Sequence, residues 1–112
     1  MSRRAELARE GEDAAVALLQ RSGYDVVARN VRLPGGEIDA ICRDGGTIVF
    51  VEVKARASGS FGPALAGVDA RKRRKLRALA ADYLQIVAPG APARFDVVTL
   101  DGERVRLHRN AF

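Results

Sequence analysis

Apolar residues recur first at helical spacing and then in the alternation of strands. Across residues 4–21, Leu7, Ala8, Gly11, Ala15, Leu18 and Leu19 share one face with charges opposite, which predicts an amphipathic helix. Ser22-Gly23 ends it, glycine being the usual residue just past a helix. Residues 24–31 are rich in β-branched side chains and predict a first strand, and Leu33-Pro34-Gly35-Gly36 a turn. Residues 37–43 form a second strand. Asp44-Gly45-Gly46 closes a hairpin into a third, 47–54, the most apolar stretch of the chain.

Residues 57–63 form a loop rich in Ser and Gly. A long helix is expected over 64–87, with Leu65, Val68, Leu76, Leu79, Ala80, Tyr83, Leu84 and Val87 on its inner side. Pro89-Gly90-Ala91-Pro92 breaks it, and strands 94–100 and 104–107 flank an Asp101-Gly102 turn. The order αβββαββ predicts an α+β fold, a mixed central sheet flanked by helices. With 112 residues, one domain over 1–112 is expected.

Composition narrows the partners more than the fold. Hydrophobic residues make up 47% of the chain but aromatics only 5%, so the core is built from Val, Leu, Ile and Ala. A single cysteine, Cys42, excludes an internal disulfide and fits a reducing compartment; its apolar neighbours mark it as a buried small hydrophobe. No run approaches the ~18 apolar residues of a membrane span. Arg3 and Arg4 are followed by Glu6, Glu10, Glu12 and Asp13 instead of a signal-peptide core, so a cytoplasmic protein is expected. A net charge of +5 and a pI near 10.1 favour an anionic partner such as nucleic acid.

The chemistry lies on the second and third strands. Alternation puts Ile48, Phe50, Glu52 and Lys54 on one face of the third strand and Val49, Val51 and Val53 on the other. On the second strand Glu37, Asp39 and Ile41 share a face, so a short hairpin brings Asp39 beside Glu52. Charges on an apolar central strand are costly unless paired or bound to metal. Two adjacent carboxylates repel, and a hard divalent cation relieves that repulsion. Such a cation polarises a phosphodiester and acidifies a bound water. A neighbouring lysine orients the water or offsets charge on the phosphate. Taken from the residues alone, a Glu52–Lys54 or Asp39–Lys54 salt bridge accounts for the pattern equally well.

Gly36-Glu37-Ile38-Asp39-Ala40-Ile41, followed by Ile48-Val49-Phe50-Val51-Glu52-Val53-Lys54-Ala55-Arg56, resembles the PD-(D/E)xK nuclease superfamily. More narrowly the chain resembles the YraN-type family of predicted endonucleases, small relatives of archaeal Holliday-junction resolvases. Phe61-Gly62, the helix from Lys72 to Tyr83-Leu84 and Arg94-Phe95-Asp96-Val97-Val98 extend the likeness over nearly the whole chain. The resemblance implies a restriction-endonuclease-like fold. It also implies a Mg²⁺- or Mn²⁺-dependent endonuclease hydrolysing DNA phosphodiester bonds, on branched or structured DNA in recombination or repair. Asp39 and Glu52 become metal ligands, the Val53 carbonyl another, and Lys54 the catalytic lysine. Pro34 is displaced from Asp39, so the motif is matched at its acids and lysine, not at its proline.

Resolvase-like relatives place a glutamate on the first helix near the metal, and the matching residue is Glu12. At ~100° per residue it falls just outside the apolar arc. The alternative is one more solvated acid on a charged helix. Gly11, at a cost of roughly 1 kcal/mol against alanine, suggests that a backbone or ligand comes close there.

Arg71-Lys72-Arg73-Arg74-Lys75 and Arg77 form the densest charge cluster, suited to a phosphate backbone or to a solvated face. Lys72 shares the inner helix face with Val68 and Leu76, and relatives use a Lys or Gln on this helix to assist the site. Arg56 is expected to contact the scissile phosphate or a neighbouring carbonyl, with the loop 57–62 closing over substrate. Asp96 points away from Phe95 and Val97 and is expected to pair with Arg94 or a basic helix residue; His108 reads as a partnerless surface residue. Kinship with resolvases implies a homodimer. The competing class is a nucleic-acid-binding module that keeps the nuclease fold without turnover. A weaker third is a basic accessory protein whose acids serve only as salt-bridge partners.

Overall fold

The computed structural model describes residues 2–56 and 68–112. Its elements are α1 (Arg3–Arg21), β1 (Asp25–Leu33), β2 (Gly36–Asp44), β3 (Thr47–Arg56), α2 (Ala70–Val87), β4 (Ala93–Asp101) and β5 (Arg104–His108). This is the αβββαββ order that the hydrophobic pattern predicts, an α+β architecture consistent with a restriction-endonuclease-like fold. Side chains cap both helix starts. Ser2 accepts the Ala5 N–H at 3.1 Å, and Asp69 accepts the Lys72 N–H at 2.9 Å. The Asp69 cap sets α2 to begin at Ala70 and not at 64; Val68 and Asp69 are not helical. The expected loop 57–63, Phe61-Gly62 and Leu65 lie outside the described residues.

One five-stranded sheet runs in the order β1-β2-β3-β4-β5. β1, β2 and β3 form an antiparallel meander, β3 and β4 pair in parallel, and β4 and β5 close as an antiparallel hairpin. The parallel step requires a crossover connection, and α2 lies within it. β3 is therefore central, and its Val49, Phe50 and Val51 are buried.

The helices cover opposite faces. On one, Ala15 and Leu19 of α1 pack with Tyr24, Ala40, Cys42, Val49, Val51 and Val98. On the other, Leu79 and Ala80 of α2 pack with Ile38, Ile41, Ile48 and Phe50, and Leu76 with Val68 and Val97. Truncating Leu19 or Ile41 to alanine should cost about 2–5 kcal/mol. Both apolar stripes are shorter than the sequence suggests: Leu7 and Ala8 of α1, and Val87 of α2, are exposed. Cys42 is the buried apolar filler expected, its thiol pushed up to about 12 by burial and then by Asp96. Among the described residues, no helix is long and apolar enough to cross a membrane.

Asp96 anchors a buried polar network. It accepts hydrogen bonds from the Tyr24 hydroxyl at 2.7 Å, Arg94 Nε at 3.1 Å and the Asn110 N–H at 2.8 Å. Arg94 also reaches Asp44 at 2.8 Å, and Arg109 Nε donates to the Tyr24 hydroxyl at 2.9 Å. Burial lowers the Arg94 pKa, but its bonds to Asp96, Asp44 and Tyr24 outweigh that and raise it overall. The Asp96–Arg94 pairing is the one expected; the recruitment of Tyr24 is new. His108 is half-buried with a ring nitrogen 3.0 Å from the Thr99 hydroxyl, so it is not a partnerless surface residue.

Candidate metal centre

The β2–β3 ladder pairs Asp44 with Thr47 and continues to Ala40 opposite Val51. Two residues further along β3, the Val53 N–H donates not to a β2 carbonyl but to Asp39 Oδ2, at 2.8 Å. β3 meanwhile stays paired with β4 as far as Arg56 opposite Asp101. The two strands therefore part at the start of β2, and the Asp39 carboxylate fills the seam. Alternation alone puts Asp39 on the α2 face; the seam position is reached from both faces. Asp39 lines a cavity of ≈ 180 Å³ on the α1 side with Glu12, Gly11, Val53 and Leu100. It also lines a cleft of ≈ 310 Å³ on the α2 side with Glu37, Glu52, Lys72 and Lys75.

Glu52 lies on the α2 face of β3, as alternation requires, and is only 6% exposed. Its carboxylate is ion-paired with the Lys72 ammonium from α2. Burial, above all, raises the Asp39 pKa to about 7; the Val53 N–H opposes this, while the charge and hydrogen bond of Glu52 add to it and Lys72 opposes. Two carboxyl groups in hydrogen-bonding reach thus share a site with one ammonium. Where no cation is bound, a proton on Asp39 and the Lys72 ammonium beside Glu52 offset part of that charge. The donor set is hard oxygen, which suits Mg²⁺ or Mn²⁺.

The other expected participants divide. Lys54 is half-buried, two residues beyond Glu52 on the same face, and none of the ion pairs among the described residues includes it. Val53 uses its N–H to hold Asp39. Glu12 shares the α1-side cavity with Asp39, whereas Glu52 opens to the other side. Among the described residues, no three His, Cys, Asp or Glu side chains come together in a metal-binding group. The close neighbour of Gly11 is the Leu100 side chain, 2.8 Å from where a Cβ would stand.

Comparison with known proteins places the chain. The uncharacterised protein family UPF0102 matches residues 11–100. The chain belongs to this family. A UPF0102 protein of Symbiobacterium thermophilum is 48% identical over 118 residues, covering 100% of this chain and 98% of its own. One from Dechloromonas aromatica is 48% identical over 104 residues, covering 93% and 86%. A third, from Thermodesulfovibrio yellowstonii, is 40% identical over 109 residues, 97% of each chain. The family match begins at Gly11 and ends at Leu100, the two residues that meet where α1 crosses β4, and so contains Asp39, Glu52 and Lys54.

In this UPF0102 chain the basic cluster of α2 splits three ways around the helix. Lys72 and Lys75 line the cleft with both acids. Arg73 donates to the Val68 carbonyl at 2.9 Å, and its guanidinium lies 5.6 Å from the Phe112 ring centre. Arg77 lies over the same ring at 5.6 Å and over Phe95 at 5.9 Å, so both arginines pin the C-terminal residues to the helix. Arg71 and Arg74 are exposed. Arg56 ends β3 opposite Asp101. Sequence reasoning named Lys75 only as a member of the phosphate-binding cluster, and its place in the cleft beside both acids is new. Gly36 brings the hairpin tip close to it: a Cβ there would stand 2.9 Å from Lys75 Cε and 3.0 Å from a Leu79 methyl, so a larger residue would require those side chains to shift.

Proposed function

We propose that this UPF0102 protein is a divalent-metal-dependent endonuclease that hydrolyses DNA phosphodiester bonds, acts on branched or structured DNA, and works in the cytoplasm. The observation that carries the reading is the pairing of half-buried Asp39 with buried Glu52, set where β2 and β3 part and followed by Lys54 on the same strand. Asp39 and Glu52 would hold Mg²⁺ or Mn²⁺, with the Val53 carbonyl beside them and Glu12 contributing from α1. When bound, the ion supplies Lewis acidity toward the phosphodiester and an acidified water. Lys54 places the attacking water or offsets charge gathering on the phosphate. Lys72, Lys75, Arg71 and Arg74, with Arg56, carry the DNA backbone, and a homodimer would present two sites to two strands.

The test is cleavage of labelled duplex, single-stranded and four-way-junction DNA in Mg²⁺ or Mn²⁺. Metal-dependent cutting is expected from the native protein and its loss in Glu52→Ala and Lys54→Ala. Cutting that persists unchanged in both variants defeats the assignment. A second reading draws on the Lys72–Glu52 ion pair, which already neutralises one acid without metal. On that reading the chain is a nucleic-acid-binding module with a nuclease fold and no turnover. Junction binding that is indifferent to metal, with no cutting in any, selects it.

A further inference from the structure

Asn30 has a left-handed backbone, φ +51, inside β1. Such a conformation is rare outside glycine, and asparagine is among the few residues that tolerate it. Its place in the sheet is specific. Arg29 stands opposite Ala40 and Val31 opposite Ile38, so Asn30 lies opposite Asp39, and that position carries no ladder pair. The phase of both strands changes there. Ile41 faces the α2 cluster and Ala40 the α1 cluster, as alternation demands, but Ile38 is again in the α2 cluster, together with its partner Val31. Unbroken alternation would return Ile38 to the α1 face. The step from Ile41 to Ile38 therefore contains a local turn of the β1–β2 ribbon, and the one left-handed residue of the ribbon outside its Gly35 turn sits at it. Asp39 is the residue at the pivot. It reaches the seam, where it accepts the Val53 N–H.

We propose that Asn30 is a positioning residue for Asp39: its left-handed backbone turns the end of the β1–β2 ribbon and directs the carboxylate into the gap beside β3. The Asn30 side chain is exposed, so the role belongs to its backbone. The inference rests on the metal-centre reading for its consequence but not for its measurement. Hydrogen exchange at the Val53 amide reports the Asp39 bond with no metal present, and Mn²⁺ calorimetry reports the consequence.

Asn30→Gly, which keeps access to the left-handed region, should preserve both readouts. Asn30→Val, whose β-branched side chain resists it, should speed Val53 exchange and weaken Mn²⁺ binding, each by about tenfold or more. If the valine variant does not fold, Asn30→Ala against Asn30→Gly makes the same comparison. Asn110 is the control: it has φ +50 but serves the Asp96 network. Asn110→Val should lower the melting temperature while leaving Val53 exchange relative to global unfolding, and Mn²⁺ affinity, unchanged. Val53 exchange in Asn30→Val that matches the native protein overturns the inference. So does equal loosening of Val53 in both valine variants, which would mark a general stability effect. Native protein that binds no Mn²⁺ defeats the metal centre instead, and Val53 exchange still decides Asn30.

Discussion

Two aspartates of this sheet are withdrawn from water, Asp96 fully and Asp39 partly, and they are treated in opposite ways. Asp96 is fully enclosed, yet both oxygens receive hydrogen bonds, and the Arg94 guanidinium lies against it. Among the described residues Asp39 accepts one N–H, from Val53, and it shares its cleft with another carboxylate, Glu52, which is ion-paired with Lys72 of α2. Burial costs both acids solvation. The protein repays it in full for Asp96 and leaves Asp39 short. A satisfied buried acid is a structural joint, and here it ties β4 to Tyr24, Asp44 and Asn110. An undercompensated one, opening on two cavities, is where the proposed cation would bind.

The contrast can be broken from either side. The largest effect is expected from Arg94→Ala, which strands the Asp96 charge and should cost about 3–5 kcal/mol in chemical denaturation while leaving Mn²⁺ affinity alone. Asp39→Asn should do the reverse: metal binding is lost with little loss of stability. It should also change the pH profile. The folded-state pKa of about 7 lies above the ordinary 3.8, so the native protein keeps a proton that the unfolded chain has released between those values. Stability should therefore fall as pH rises from 3.8 to about 7, a slope that Asp39→Asn flattens and bound Mn²⁺ offsets. Lys72→Met removes the ammonium from Glu52. It should cost about 1 kcal/mol, since the lysine is 40% exposed, and should raise the Asp39 pKa further. The smallest effect on stability is expected from Arg71→Ala with Arg74→Ala. DNA affinity should drop, and its salt dependence should become shallower by about one unit per lost phosphate contact, with an unaltered melting curve.

Hydrophobic period and turn residues were enough for the order of elements, because each helix and strand carries its own apolar stripe. The placement of Glu52 and Lys54 was legible by strand alternation and that of Lys72 by helical spacing, all three being on regular stretches. The placement of Asp39 beside Glu52 was legible but its seam was not, since period-two reasoning assumes an unbroken ribbon and Asn30 breaks it. The Tyr24–Asp96 bond joins residues 72 positions apart, a contact that no local pattern carries. Glu12 lay beyond local pattern for a related reason: the helix wheel gives its direction, not which side of the sheet seam α1 will cover. The start of α2 was misplaced because the apolar spacing runs on through Val68, while the Asp69 cap fixes the boundary.

Calorimetric titration of Mn²⁺ at pH 8, above the Asp39 titration, tests the central claim most directly. The account predicts binding to the native protein, weakened by more than about tenfold in both Asp39→Asn and Glu52→Gln and retained in Arg94→Ala protein that is still folded. Absence of binding to the native protein, or binding that survives unchanged in both acid variants, would contradict it.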